Sequence, residues 1–125
     1  MKTVTAGWFE IPVSNMDRAI TFYNAVFQVE IAKQNFGGIE MGWFPFSADL
    51  NGAPGSLIQS EENYKPSTNG TLVYLNCADL VNELGRIENA GGTVLQAKTQ
   101  ISEEHGYMGL FLDTEGNRVA LHSQK

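Results

Sequence analysis

Glu10 and His122, near opposite ends of the 125-residue chain, have the side-chain types that acid–base work needs. A carboxylate and an imidazole lining one pocket can move a proton next to a carbonyl, or simply anchor a polar ligand. Tyr74, Asn76 and Gln59 add neutral hydrogen-bonding groups, and Trp8 and Trp43 add flat faces for a planar ligand. With Glu61, the same carboxylate and imidazole also make an acceptable ligand set for a divalent metal. Plainer readings stand beside these. A lone Glu and a lone His on different strands are more often a structural pair or surface groups, and Tyr74 reads equally as an amphipathic wall residue. Aromatics in strands are more often core or interface than a recognition surface. His105, in Glu103-Glu104-His105-Gly106, reads as a solvated turn, and Cys77 as a buried thiol on the helix-facing side of its strand.

Strand alternation assigns these side chains to faces. Phe9, Ile11 and Val13 form an apolar row that packs on helices, which leaves Trp8, Glu10 and Pro12 on the other face. In the second half Val73, Leu75 and Cys77 are the packed row, with Leu72, Tyr74 and Asn76 opposite. Near the end, Val119 and Leu121 point to the helices while Arg118, Ala120 and His122 point into the pocket.

Two related units supply these strands. The first runs Trp8 to Val13 as a strand, offers Ser14 or Asn15 as an N-cap, and continues as a helix from Asp17 to Phe27. Ile20, Tyr23 and Phe27 recur at helical spacing. The pattern returns 64 residues later: Leu72 to Cys77 is the strand, Asp79 the N-cap, and Leu80, Leu84 and Ile87 the apolar stripe. Gly91-Gly92 ends that helix through a left-handed residue. Ala32-Lys33 matches Ala97-Lys98, and Met41-Gly42 matches Met108-Gly109. Gly55 before Leu57-Ile58-Gln59 matches Gly116 before Arg118-Val119-Ala120, and Glu61 then matches His122. Hairpin signals stand at Phe36-Gly37-Gly38, Asn51-Gly52 and Asp113 to Asn117. The spacing predicts one domain over 1–125, with modules at about 1–62 and 71–125 and a linker at about 63–70.

Composition narrows the partners. Eight basic against fourteen acidic residues give a net charge of −6, and neither half carries a basic patch, so a phosphate backbone is repelled. A ferredoxin-like RNA-binding module, which strand aromatics can imitate, is disfavoured on the same ground. A single cysteine suits a reducing compartment, no apolar run reaches membrane-spanning length, and the patterned strand close to Met1 leads us to expect no signal peptide. A cytoplasmic protein that meets neither membrane nor nucleic acid is expected. Phosphate-binding loops, the G-x-S-x-G elbow and C-x-x-C pairs are missing from the sequence.

The run Phe9-Glu10-Ile11-Pro12-Val13-Ser14-Asn15-Met16-Asp17-Arg18-Ala19-Ile20-Thr21-Phe22-Tyr23 resembles the vicinal oxygen chelate superfamily of glyoxalase I, bleomycin-resistance proteins and extradiol dioxygenases. Ala90-Gly91-Gly92 and Asp113 to Val119 extend the resemblance over nearly the whole chain. It implies an α+β fold of two βαβββ modules that form a half-open barrel around a cleft, and a homodimer. In metal-dependent members the ligands sit on the first and last strands of each module. By motif alignment those positions here are Trp8, Gln59, Leu72 and Ala120. Indole, leucyl and methyl groups cannot ligate a divalent ion, and a Gln oxygen is a weak neutral donor. The resemblance therefore implies a divergent member that binds a small molecule in its cleft without the usual metal or another cofactor. The alternative is a glyoxalase-like lyase, isomerase or dioxygenase using a displaced metal or the Glu10/His122 pair.

Overall fold

The computed structural model describes residues 2–49 and 51–125. The first half comprises β1 (Phe9–Pro12), α1 (Met16–Phe27), β2 (Ala32–Phe36), β3 (Ile39–Trp43) and β4 (Gly55–Gln59). The second comprises β5 (Tyr74–Asn76), α2 (Leu80–Ala90), β6 (Thr93–Ser102), β7 (Gly106–Leu112) and β8 (Arg118–Ser123). The sheets have the orders β1-β4-β3-β2 and β5-β8-β7-β6. β1 runs parallel to β4 and β5 parallel to β8, and the remaining neighbours are antiparallel. The fold is thus α+β, two βαβββ modules with open mixed sheets.

Each helix starts where a side chain takes up a free N–H. Asn15, extended at φ −141°, accepts from the Arg18 N–H, and Asp79, at φ −147°, accepts from the Val81 N–H. α2 stops on Gly91, left-handed at φ 107°, as its sequence predicts. α1 ends instead on Gln28 at φ 54°, a left-handed residue without glycine's freedom. A second device repeats across the halves. The Met16 N–H donates to Gln59 Oε1 at 2.8 Å, and the Leu80 N–H donates to Ser123 Oγ at 3.2 Å. The last residue of each module's final strand thus caps the start of its helix.

The expected strand Leu72–Cys77 shortens to Tyr74–Asn76, although pairing continues at both ends. Val73 still accepts from the Ala120 N–H, and the Cys77 N–H still donates to the His122 carbonyl.

Both helices pack on the same side of their sheets, and the core crosses the module boundary. Phe22 and Tyr23 of α1 are buried, and the Phe22 ring lies 4.9 Å from Tyr23 and 5.9 Å from Phe111 of β7. Burying such a ring contributes roughly 2–3 kcal/mol. The Asp113–Asn117 turn completes the joint. Tyr23 donates its hydroxyl to Asp113 at 2.8 Å, and Asn117 donates its amide to the Pro12 carbonyl at 2.7 Å. Glu115 accepts from the Ser14 and Asn15 N–H groups and from Arg18 at 2.7 Å. One turn of the second module therefore fixes the entry to the first module's helix, and with it the exit of β1.

Candidate functional site

β1 and β5 are edge strands of the two sheets, and both line a cleft of about 740 Å³. Trp8, Glu10 and Pro12 come from the β1 side, and Leu72, Tyr74 and Asn76 from the β5 side. Trp8, Glu10, Leu72, Tyr74 and Asn76 thus share one cavity, but Phe9, Val73 and Leu75 from the rows expected to pack on the helices line it as well, and Trp43, Gln59 and His122 do not. Tyr74 is 48 % exposed, so its ring is open to the cleft rather than packed.

Glu10 is held from the linker. Tyr64 donates its hydroxyl to Glu10 Oε1 at 2.8 Å, and that hydrogen bond and the carboxylate's charge raise the phenol's pKa. His122 stands beside Asn76 in the β5–β8 register. Its Nε2 lies 2.6 Å from the His105 carbonyl oxygen, which can only accept, so Nε2 carries the proton. Glu10 and His122 have separate partners, and no hydrogen bond or ion pair joins them among the described residues.

The register corrects the alignment of the first module's last strand. Phe9 pairs with Gly55, Glu10 with Ser56 and Pro12 with Ile58, while Tyr74 pairs with Ala120 and Asn76 with His122. Ser56, not Gln59, is therefore the counterpart of Ala120, and Ile58, not Glu61, is the counterpart of His122. Gln59 falls on the helix face, where it caps α1, and Glu61 lies in a turn beyond β4. The Gly55–Gly116 match misleads by three residues because the loops before the two final strands differ in length. Carrying the 64-residue offset straight through would have found Ser56 and the Gln59–Ser123 capping pair.

Trp43 stands across from Ser56 on β3, on the cleft-side face, with its ring 5.4 Å from Trp8. Cys77 is half-buried against the core. Burial and the nearby Glu83 carboxylate push its thiol up to about 12, so it is no nucleophile at neutral pH. A smaller apolar pocket of about 220 Å³, walled by Phe9, Phe27, Phe44 and Phe46, adjoins the cleft at Gly52, Ala53 and Asn76.

Two edge strands flanking a cleft, repeated strand–helix–three-strand units and a shared offset define a paired-module protein. Residues 5–121 match the model of the Glyoxalase/Bleomycin resistance protein/Dioxygenase superfamily, and the chain belongs to that family. The chain is similar to TnmS3, an antibiotic-binding protein from Streptomyces sp. CB03234. Identity is 21 %, the TM-score is 0.69, and the match covers 100 % of this chain and 99 % of that one. A glyoxalase/bleomycin resistance protein from Albidiferax ferrireducens T118 aligns at 12 % identity and TM-score 0.70, covering 96 % and 98 %. The V278E mutant of glyoxalase I from Zea mays aligns at 15 % identity and TM-score 0.72, covering 94 % of this chain but only 45 % of the maize one. No curated protein matches the sequence.

The positions that the family resemblance implies for metal ligands are Trp8, Leu72 and Ala120, with Ser56 as the registered counterpart of Ala120. One hydroxyl among an indole and two aliphatic side chains does not fit a divalent ion. Among the described residues no three His, Cys, Asp or Glu side chains converge as a metal-holding group.

Proposed function

We propose that this protein binds a small, flat, partly aromatic molecule in the β1–β5 cleft without the superfamily's metal. The observation that carries this reading is the lining of the cleft. Trp8 and Tyr74 offer ring faces, Glu10 and Asn76 offer polar anchors, and the positions implied for metal ligands hold an indole, one hydroxyl and two aliphatic groups, a poor set for a divalent ion. A pocket of this size suits a drug-sized ligand, held by mostly apolar walls and a few fixed polar groups. TnmS3 is described as antibiotic-binding, which supports a sequestering role on the same fold.

A melting-temperature screen of aromatic metabolites tests the proposal. A ligand at one hundred times its Kd adds about 2.7 kcal/mol to stability. Hits are expected, and Tyr74→Ala and Trp8→Ala should abolish their shift. A screen with no hit that depends on either residue would overturn it. Calorimetric titration with Zn²⁺, Ni²⁺ and Mn²⁺ should show no stoichiometric site. Glu10→Gln and His122→Ala decide the catalytic alternative once a ligand is in hand. Loss of turnover in both would establish an acid–base enzyme.

Self-association fits the same surface. Trp8, Phe36, Ile39 and Tyr74 are exposed apolar side chains on the helix-free side of the sheets, and a second copy in a homodimer would cover them. Light scattering on the eluting protein should give twice the chain mass.

A further inference from the structure

β4 lies between β1 and β3, and its Ser56 is registered with Glu10 on one side and Trp43 on the other. Neighbouring strands are about 4.8 Å apart, so β1 and β3 are separated by roughly 10 Å. The Trp8 and Trp43 rings nevertheless meet at 5.4 Å between centroids, with 69° between their planes. Rings reaching each other from strands so far apart must arch over the strand between them. Ser56, registered with Trp43, is 0 % exposed on a face that no helix covers, and the neighbouring Ile58 and Met41 are buried there too. Phe36 stacks on Trp43 at 5.9 Å and 22°, so Trp43 is clamped, whereas Trp8 is 37 % exposed and lines the cleft.

Beneath this arch two polar atoms stand alone. Ser56 Oγ and Trp43 Nε1 are both buried, with no hydrogen-bond partner among the described residues. Native structures keep few such groups, and each calls for an explanation. Here the two unmatched groups are cross-strand neighbours behind the cleft wall, separated from the cleft by Trp8 and Glu10, which line it.

The geometry points to a hydrogen-bonding subsite under the Trp8–Trp43 arch. There a flat aromatic ligand swings the Trp8 ring aside and places an acceptor atom against the Trp43 indole N–H and the Ser56 hydroxyl. The indole N–H is a donor only, so the ligand must bring an acceptor. Glu10, registered with Ser56, repels an anion, so that acceptor is neutral: a ring nitrogen or a carbonyl oxygen. This inference rests on the cleft reading above and narrows its ligand class.

Quinoline and naphthalene form a matched probe pair, alike in shape and differing by one acceptor nitrogen. Titration of ¹⁵N-labelled protein with each follows the two indole N–H signals, assigned with Trp8→Phe and Trp43→Phe. Quinoline is expected to move the Trp43 signal downfield and to bind at least fivefold more tightly than naphthalene. Ser56→Ala should raise the melting temperature of the free protein, because it removes an unmatched buried hydroxyl, yet weaken quinoline about fivefold and leave naphthalene unchanged. A purely structural serine would not give those opposite signs. Should Trp43→Phe fail to fold, the single indole signal left in Trp8→Phe assigns Trp43 by itself. Equal affinity for the two probes, with the Trp43 signal still while the Tyr74 and Asn76 amides shift, would overturn the subsite and leave the cleft reading standing. No quinoline shift at all, or a lower melting temperature for Ser56→Ala, also overturns the subsite. The cleft reading fails separately, on a metabolite screen without hits.

Discussion

Glu115 gathers the Ser14 and Asn15 N–H groups, the Ser14 and Thr114 hydroxyls and two guanidinium nitrogens of Arg18 around one buried carboxylate. Burial alone would raise its pKa, but Arg18 and the other donors outweigh that and hold it at about 2. A depressed folded pKa stabilises the protein above the unfolded value of 4.5, and that contribution fades as the pH falls toward 2. Acid unfolding in this window should therefore be steep. Glu115→Gln should lose ~2 kcal/mol at pH 7, after allowing for solvent screening around half-exposed Arg18, and should flatten the acid limb of a urea-midpoint profile. Nothing in the sequence singled out Glu115 beyond its place in a turn. Its role depends on contacts about 100 residues away, and single-sequence patterns carry no such information. Glu10, Trp8, Tyr74 and Asn76 were legible because period-two alternation decides the face of a strand without any partner.

At the scale of elements, the helices were legible almost to the residue because N-cap side chains and apolar spacing are local. The final strand of the first module was not, since a register depends on its neighbour and a glycine match displaced it by three. Gln59 illustrates the difference. Its amide oxygen serves the first N–H of α1, as Ser123 serves that of α2. Gln59→Ala should cost about 1 kcal/mol in a denaturation experiment. It should leave every cleft ligand's affinity unchanged, and a lost ligand would return Gln59 to the binding wall. Gly106 opens β7 at φ 78°, and an added Cβ would collide with the Ser123 carbonyl oxygen. Gly106→Ala should therefore destabilise by about 2 kcal/mol, through both the clash and the strained φ.

For the whole molecule, the shared core and the Asp113–Asn117 turn make the modules one cooperative unit. Both tryptophans lie in the first module, so their fluorescence reports that half, while far-ultraviolet circular dichroism reports helices in both. Urea transitions followed by the two signals should coincide. A fluorescence midpoint clearly below the dichroism midpoint would mean that the first module opens alone. The two-module architecture itself was legible because the repeat is in the sequence. The cleft's depth and the arch over Ser56 were not, because both arise from how side chains on three strands lean together.

The 64-residue offset also sets the halves against each other. Trp8 faces Leu72 as its counterpart, Glu10 faces Tyr74, Pro12 faces Asn76, Ser56 faces Ala120 and Ile58 faces His122. The two halves keep the same strand order and register, but no pair of counterparts keeps the same chemistry. A molecule laid across that seam meets an indole and a carboxylate at one end and a phenol, a carboxamide and an aliphatic wall at the other. Turning it end for end exchanges every contact, so the cavity has a head and a tail, and only one orientation of an unsymmetrical guest can satisfy both.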